Sequence, residues 1–334
     1  MSGTFGAFTW ALFEEMQRRR DFFSDNEEIT TLYFGGGTPS VLPAEVFAEI
    51  VNNLRNSFDL RRLEEFTIEV NPDDVRRGGK EFLRTYRSCG VKRISMGVQA
   101  TQDVHLRWMN RRHNFSDATK AFAMLREASF DNISLDLIFG YRGLSNAQWS
   151  ESIETLAALS PEHISAYQLS IDPESALAER GDEDAVLSQD ECAEQYTILC
   201  NKLKEAGYEH YEISNFAKPG RRSRHNGNYW KRVTYLGLGP AAHSFDGKNR
   251  RIWNTANLKE YCNGYLPQEE ILSESDIYNE KIMLGLRTCD GIPAKYLNKT
   301  PLSLMHSLVQ TDGRYRIPED KWFICDNIIS ELFV

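Results

Sequence analysis

Residues 33–39 read Tyr-Phe-Gly-Gly-Gly-Thr-Pro, and they follow a β-branched, apolar segment at 29–32. Three glycines at the C-terminal end of a strand leave backbone amides and carbonyls that a small ligand can approach closely. A helix-like segment then begins near Pro43. This order of strand, glycine-rich turn and helix predicts a βα unit whose strand end faces a ligand.

The same rhythm continues to about residue 207, with strands alternating with helices as in parallel βαβ units. Strands are predicted at 29–36, 65–71, 92–99, 132–140 and 163–171, and helices at 5–20, 43–57, 79–89, 116–129, 146–159 and 189–206. The glycines lack the spacing of a dinucleotide fingerprint, so a barrel or partial barrel fits better than a doubly wound sheet. The chain opens with a helix, which leaves the first predicted strand with an unpaired edge.

Polar residues gather towards the C-terminal ends of the predicted strands, where barrel folds keep their sites. They are Gly35 to Thr38, Glu69, Asn71 to Asp74, Gln99, Asp136, Tyr167 and Gln168. Each alone is as well explained as an ordinary strand-to-loop residue. Five strand ends in succession favour a ligand site on one rim.

The charge and composition of the chain limit the kinds of partner it is expected to bind. The 334 residues carry a net charge of −9, which argues against nucleic acid or an anionic membrane surface as the main partner. No apolar run approaches a membrane span, and the N-terminal residues do not resemble a secretory signal. The six dispersed cysteines predict neither a disulfide framework nor a metal site, so a reduced, cytoplasmic protein is expected.

In combination and order, six segments resemble the HemN/HemW branch of the radical S-adenosylmethionine (SAM) proteins. These segments are 33–40, 68–72, 93–99, 110–113, 135–140 and 163–169. The branch contains oxygen-independent coproporphyrinogen III dehydrogenase and the heme chaperone HemW. The resemblance runs from about residue 8 to the end, and it implies an α/β fold with a partial (β/α)6 TIM-like barrel that lacks its first strand.

The resemblance also implies a SAM site. The backbone of Gly36, Gly37 and Thr38 would receive the methionine end of the cofactor. Four side chains match SAM-contacting positions of the family: Glu69, Gln99, Arg111 and Asp136. Their chemistry fits, since carboxylates accept from ribose hydroxyls or an ammonium group and arginine pairs with a carboxylate. Arg112 is adjacent to Arg111, and either of them is also explained as a surface cation.

The second half of the chain resembles HemW more than the dehydrogenase. The pattern His225-Asn-x-x-Tyr229-Trp230 is followed by a glycine-rich segment that ends at His243. Histidine and aromatic side chains suit a flat macrocycle whose metal takes an imidazole, so these four residues are candidate heme contacts. The alternative is that His225 and His243 are hydrogen-bonded structural residues.

Three domains are expected: a radical SAM partial barrel at 1–207, an extension at 208–275 that carries the His-Asn-x-x-Tyr-Trp motif, and a small helical, winged-helix-like domain at 276–334. Residues 280–291 resemble the opening of that last domain in the family.

The cluster motif of the superfamily is missing. Radical SAM proteins bind a 4Fe–4S cluster through Cys-x-x-x-Cys-x-x-Cys, and none of the six cysteines has this spacing. The interpretation favoured here is a chain that lacks the segment carrying the motif, and the alternative is a cluster-less relative. Either way, no metal site is expected, no catalytic residue is assigned, and the polypeptide is expected not to cleave SAM reductively.

The leading functional hypothesis is a HemW-like chaperone that binds heme and delivers it to an acceptor protein. The alternative is the dehydrogenase of porphyrin biosynthesis, which removes two propionate carboxyl groups from its porphyrinogen. A third reading, a sugar-phosphate barrel enzyme that cradles phosphate in the glycine-rich turn, is disfavoured by the lack of lysine near most strand ends.

Overall fold

A computed structural model of the chain describes residues 2–24, 26–171, 176–179, 181, 185–297, 300 and 302–334. The chain divides into two compact units. Unit 1 consists of Met1–Leu32, Leu42–Glu65 and Arg224–Val334, and unit 2 consists of Tyr33–Val41 and Phe66–Ser223. The expected three-domain division stays a prediction.

The largest sheet has seven strands in the order β1-β2-β3-β4-β5-β7-β6. Their bounds are β1 Thr31–Phe34, β2 Glu65–Val70, β3 Arg93–Gln99, β4 Ile133–Phe139, β5 His163–Gln168, β6 Glu209–Glu212 and β7 Asn215–Ala217. Strands β2 to β5 run parallel, and β7 pairs antiparallel with both β5 and β6. The predicted α/β class with a partial barrel is confirmed, and β1 is the edge strand of the described sheet.

Eight helices are described before β6. They are α1 Ser2–Arg18, α2 Ala44–Ser57, α3 Pro72–Ser88, α4 Asp103–Trp108, α5 Phe115–Glu127, α6 Asn146–Ala158, α7 Ala176–Glu179 and α8 Gln189–Glu205, with a 3-10 turn at Pro39–Val41. Of these described helices, six overlap predicted helices, and the two short ones, α4 and α7, were not predicted. The start predicted for α3 was wrong: the helix begins at Pro72, and Gly79 kinks it with a φ of 64°. Proline at its first position and two aspartates in its first turn favour the earlier start.

The central strands are buried on both faces, as expected of parallel strands. In β3 and β4, Ile94, Met96, Leu135 and Leu137 are each at most 1% exposed. The apolar side chains of these strands fill the core. The polar residues near the strand ends are not needed for this packing and are available to bind a ligand.

Unit 1 holds helix α9 Arg224–Trp230, helix α10 Leu258–Cys262 and a small antiparallel sheet in the order β10-β9-β8. The strands are β8 His243–Phe245, β9 Arg250–Trp253 and β10 Gln268–Ile271. Helix α1 packs on α2 and α10.

The last residues of the chain form a helix followed by a second small antiparallel sheet, as in the predicted winged-helix-like part. The elements are α11 Glu274–Leu286, β11 Ile292–Pro293, β12 Val309–Thr311, β13 Arg314–Arg316, α12 Cys325–Ser330 and 3-10 turns at Ala294–Leu297, Leu302–Ser307 and Glu319–Ile324. Among all the described helices, none is both long enough and apolar enough to cross a membrane.

Candidate functional site

The glycine-rich turn after β1 is tied to the end of β2 by Glu69. The Tyr33 hydroxyl donates to Oε1 of Glu69 at 2.7 Å, and the amide of Gly36 donates to Oε2 at 3.0 Å. A Cβ atom on Gly35 would lie 2.3 Å from Cε1 of Tyr33 and 2.8 Å from Oε1 of Glu69. Glycine at position 35 is therefore required for the tyrosine to reach the carboxylate.

Three consecutive residues of this turn have left-handed backbone conformations, with φ of 68° at Gly36, 57° at Gly37 and 67° at Thr38. A β-branched residue rarely adopts this region, so Thr38 is strained. The amide nitrogen of the Asn71 side chain donates to Oγ1 of Thr38 at 3.5 Å and helps to hold it there. Backbone strain of this kind clusters at ligand sites, where the surrounding structure maintains it.

Gln99 ends β3 with a φ of 71°, beside a register shift in the pairing of β3 with β4. Its side chain folds back over Gly97. A Cβ atom at position 97 would lie 2.5 Å from Nε2 of Gln99 and 3.7 Å from Oδ1 of Asn71, so only glycine leaves room for it. An irregularity in strand pairing changes the direction of a side chain. Here it places the side chain of Gln99 near Asn71, the residue that donates to Thr38.

Asp136 is half-buried in β4, where the hydroxyl of Ser95 donates to it at 3.3 Å and that of Ser134 also at 3.3 Å. Burial raises the pKa of Asp136 to about 6, with the charge of Arg93 opposing the rise and that of Glu69 adding to it. Asp136 and Glu69 are therefore close enough to interact electrostatically. A carboxylate with this pKa changes its charge within the physiological range.

The two adjacent arginines, Arg111 and Arg112, have different surroundings in the structure. Arg112 pairs with Asp73 at 3.0 Å and with Asp74 at 3.5 Å. In Arg111, Nε is buried and has no hydrogen-bond partner among the described residues, and burial lowers the pKa of this guanidinium. A buried donor without a partner is costly, so Arg111 fits a site whose partner is a ligand.

Five of the seven predicted SAM residues lie at or just after the C-terminal ends of β1, β2 and β3, Asp136 lies within β4, and Arg111 lies on the loop after α4. The ring of His113 contacts the carbonyl of Val98 in β3 at 3.1 Å. Unit 2 thus contains the whole predicted SAM set.

The four candidate heme residues all lie in unit 1. Nδ1 of His225 is 2.9 Å from Oγ1 of Thr31, and Nε2 is 3.0 Å from the hydroxyl of Tyr229. The backbone amide of His225 also donates to Oε1 of Glu65 at 2.9 Å. Both ring nitrogens of His225 are therefore oriented by neighbouring hydroxyl groups.

His243 and Trp230 have different surroundings. The exposed ring of His243 stacks on Trp253 at 6.2 Å, and its nitrogens form no hydrogen bond within the described chain. Nε1 of Trp230 is buried without a hydrogen-bond partner among the described residues, below the guanidinium of Arg287. The structure brings His225 and Tyr229 together and pairs His243 with an aromatic residue that the sequence did not single out.

One buried carboxylate was missed altogether. Glu15 of α1 is 2% exposed and accepts from the amide of Gly239 at 2.9 Å, from Asn254 at 2.8 Å and from Tyr261 at 2.7 Å. It anchors the glycine-rich segment that leads to His243. The only signal in the sequence is an acidic residue between apolar residues of one helix.

The residues present do not fit a 4Fe–4S cluster. All six cysteines lie in the described part of the chain, and none of them forms a disulfide. Within the described residues, no three His, Cys, Asp or Glu side chains are placed to hold a metal ion.

Comparison with known proteins agrees with this architecture. Residues 3–156 match the model of the Radical SAM superfamily. The heme chaperone HemW of Bacillus subtilis is 36% identical over 80% of this chain and 72% of its own length, and that of Lactococcus lactis is 30% identical over 98% and 89%. The structure of coproporphyrinogen III oxidase (HemN) from Escherichia coli superimposes with a TM-score of 0.82 at 20% identity, covering 100% of this chain and 85% of that one, which shows a shared fold. The chain belongs to the heme chaperone HemW family of the radical SAM superfamily.

Proposed function

We propose that this protein binds heme and delivers it to an acceptor protein, acting in the cytoplasm. Relatives named heme chaperones in several bacteria support this function. The observation that carries it is the paired orientation of His225 by Thr31 and Tyr229. Heme is the cargo in this proposal, and the acceptor is a protein that itself uses heme.

The geometry favours His225 as the ligand of the heme iron. Histidines that bind metals almost always donate the N–H of their other ring nitrogen to an oxygen, which fixes the tautomer. Oγ1 of Thr31 is placed to accept from Nδ1, which leaves the lone pair of Nε2 for the iron. The hydroxyl of Tyr229, whose side chain is 40% exposed, lies 3.0 Å from Nε2 and has to move aside before iron can bind this nitrogen. His243 has no such orienting group.

A heme titration of the full chain tests the function. We expect binding at one heme per chain with a shift of the Soret band, followed by transfer to an apo heme protein. No Soret shift at stoichiometric heme would contradict the proposal. Turnover of coproporphyrinogen III would instead support the dehydrogenase.

We also propose that unit 2 binds SAM through the turn at 36–38 and the side chains Glu69, Gln99, Arg111 and Asp136. The buried, unpartnered Nε of Arg111 and the strained Thr38 support this site. SAM would supply a sulfonium and an amino acid group to these residues. The proposal concerns binding alone, because the chain lacks ligands for the cluster.

Replacing Arg111 with alanine should weaken SAM binding by about 10- to 100-fold, the loss of a charge-assisted hydrogen bond of roughly 1.5–3 kcal/mol. Isothermal titration calorimetry at pH 7.5 measures this effect. The matched control is Arg112→Ala, since Arg112 already pairs with Asp73 and Asp74 and should change SAM affinity less than threefold. Equal losses in the two variants would contradict the assignment.

SAM affinity should also depend on pH through Asp136. Its pKa is raised by burial to about 6, so the carboxylate is ionised at pH 7.5 and mostly protonated at pH 5. A cationic ligand favours the ionised form, so we expect affinity to fall as the pH drops through 6. In Asp136→Asn this dependence should disappear, and a dependence that persists in this variant would assign the titration to another group.

A further inference from the structure

Helix α8 and strand β6 place a thiol beside an imidazole, away from the residues assigned above. Sγ of Cys200 lies 3.8 Å from Nδ1 of His210, a separation that the large radius of sulfur allows for a hydrogen bond. Both side chains are half-buried, so small solutes can reach them. The two residues belong to unit 2 and to none of the motifs of the family resemblance.

The other side of the imidazole fixes its tautomer. Nε2 of His210 lies 3.3 Å from the carbonyl oxygen of Ile213, which can only accept, so Nε2 carries the proton. The hydroxyl of Tyr196 lies 3.3 Å from the same nitrogen and donates to the same carbonyl at 2.9 Å. Nδ1 is therefore the basic nitrogen, and it faces the S–H group of Cys200.

The helix supplies this arrangement by simple periodicity. Tyr196 and Cys200 are four residues apart on α8, so they lie on one face and both reach His210. The ring of His210 stacks on Phe216 at 4.1 Å, which holds its plane. A nucleophile, a base and a group that orients the base form the usual arrangement of an activated thiol.

Charged residues next to Cys200 and His210 along the chain are themselves paired. Lys202 pairs with Glu154 of α6 at 2.5 Å, and Glu209 of β6 pairs with Arg222 at 3.2 Å. Cys200 lies more than one turn before the end of α8 at Glu205, where the unfavourable effect of the helix dipole on an anion has faded.

We propose that Cys200, activated by His210, is a modification site that hydrogen peroxide oxidises to a sulfenic acid. The thiol proton moves to Nδ1 of His210, and the sulfur attacks one peroxide oxygen as the O–O bond breaks. The departing hydroxide takes the proton back from the imidazolium and leaves as water. Sulfur loses two electrons and the peroxide gains them, so the step balances.

The full chain is treated with substoichiometric hydrogen peroxide at pH 7 in the presence of dimedone, and the modified cysteines are quantified by peptide mass spectrometry. Cys262 is the internal reference, because it is half-buried on helix α10 and its thiol forms no hydrogen bond within the described residues. Since a free thiol is only a few per cent ionised at pH 7, Cys200 should react about tenfold faster than Cys262.

His210→Gln should reduce the labelling of Cys200 about tenfold and leave that of Cys262 unchanged. Equal rates at Cys200 and Cys262 in the native protein would overturn the proposal, and this comparison does not depend on how well the variant folds. An unchanged rate at Cys200 in a folded His210→Gln protein would also overturn it.

Discussion

Replacement of His225 with alanine is expected to weaken heme binding at least about 100-fold, more than the loss of an orienting neighbour of a metal ligand usually causes. The reason is that, in the candidate set, only His225 has its Nδ1 held by a neighbouring hydroxyl group, which leaves Nε2 as the nitrogen that can bind iron. Titration of the Soret band with heme measures the effect.

Two variants serve as matched controls. Thr31→Val removes the oxygen that faces Nδ1 of His225 while keeping a β-branched side chain in β1, and it should weaken binding by roughly tenfold. His243→Ala removes an exposed ring that stacks on Trp253 and should change the affinity less than the threonine variant. A larger loss of heme affinity in His243→Ala than in His225→Ala would identify His243 as the iron ligand instead.

Glu15→Ala should lower the free energy of unfolding by about 3–5 kcal/mol, as expected when a buried charge-assisted network loses its central member. The substitution leaves the amide of Gly239, the amide group of Asn254 and the hydroxyl of Tyr261 without their acceptor. It also leaves Arg19, which contacts Glu15 at 3.5 Å, without its carboxylate. Urea unfolding followed by circular dichroism measures the loss.

The neighbouring Glu14 provides the control, because it is exposed on the same helix. Glu14→Ala should change the free energy of unfolding by less than about 0.5 kcal/mol. Tyr261→Phe removes a single hydrogen bond and should cost about 1 kcal/mol. Equal destabilisation by Glu14→Ala and Glu15→Ala would show that the buried network does not hold unit 1 together.

Much of the fold was predictable because local signals and tertiary packing agree. Apolar residues recur at every second position of β3 and β4, so both strands were found within one residue of their ends. The misplaced start of α3 arose because Gly79 interrupts the helix, and a glycine inside a helical pattern suggests a boundary. Helix α4 was not predicted, since its six residues are too few to show a period.

Only those residues of the candidate site that belong to sequence motifs could be predicted. Residue types at strand ends indicated a ligand site, and the resemblance identified which positions match the family. The distinction between Arg111 and Arg112 depends on Asp73 and Asp74, which are remote in sequence. The partner of His225 is remote as well, since Thr31 lies 194 residues earlier. No local pattern reports such pairings.

The division of unit 1 into three stretches has a consequence for biosynthesis. The last residue of unit 2, Ser223, is added to the growing chain before any of Arg224–Val334 has been made. At common translation rates the remaining third of the chain takes roughly 5 to 20 seconds to appear. When Ser223 has just been added, α1 has already been synthesised, but Gly239, Asn254 and Tyr261 do not yet exist to enclose Glu15. The hydrogen-bonded network around Glu15 can therefore form only after Tyr261 has been added, long after α1 itself was synthesised.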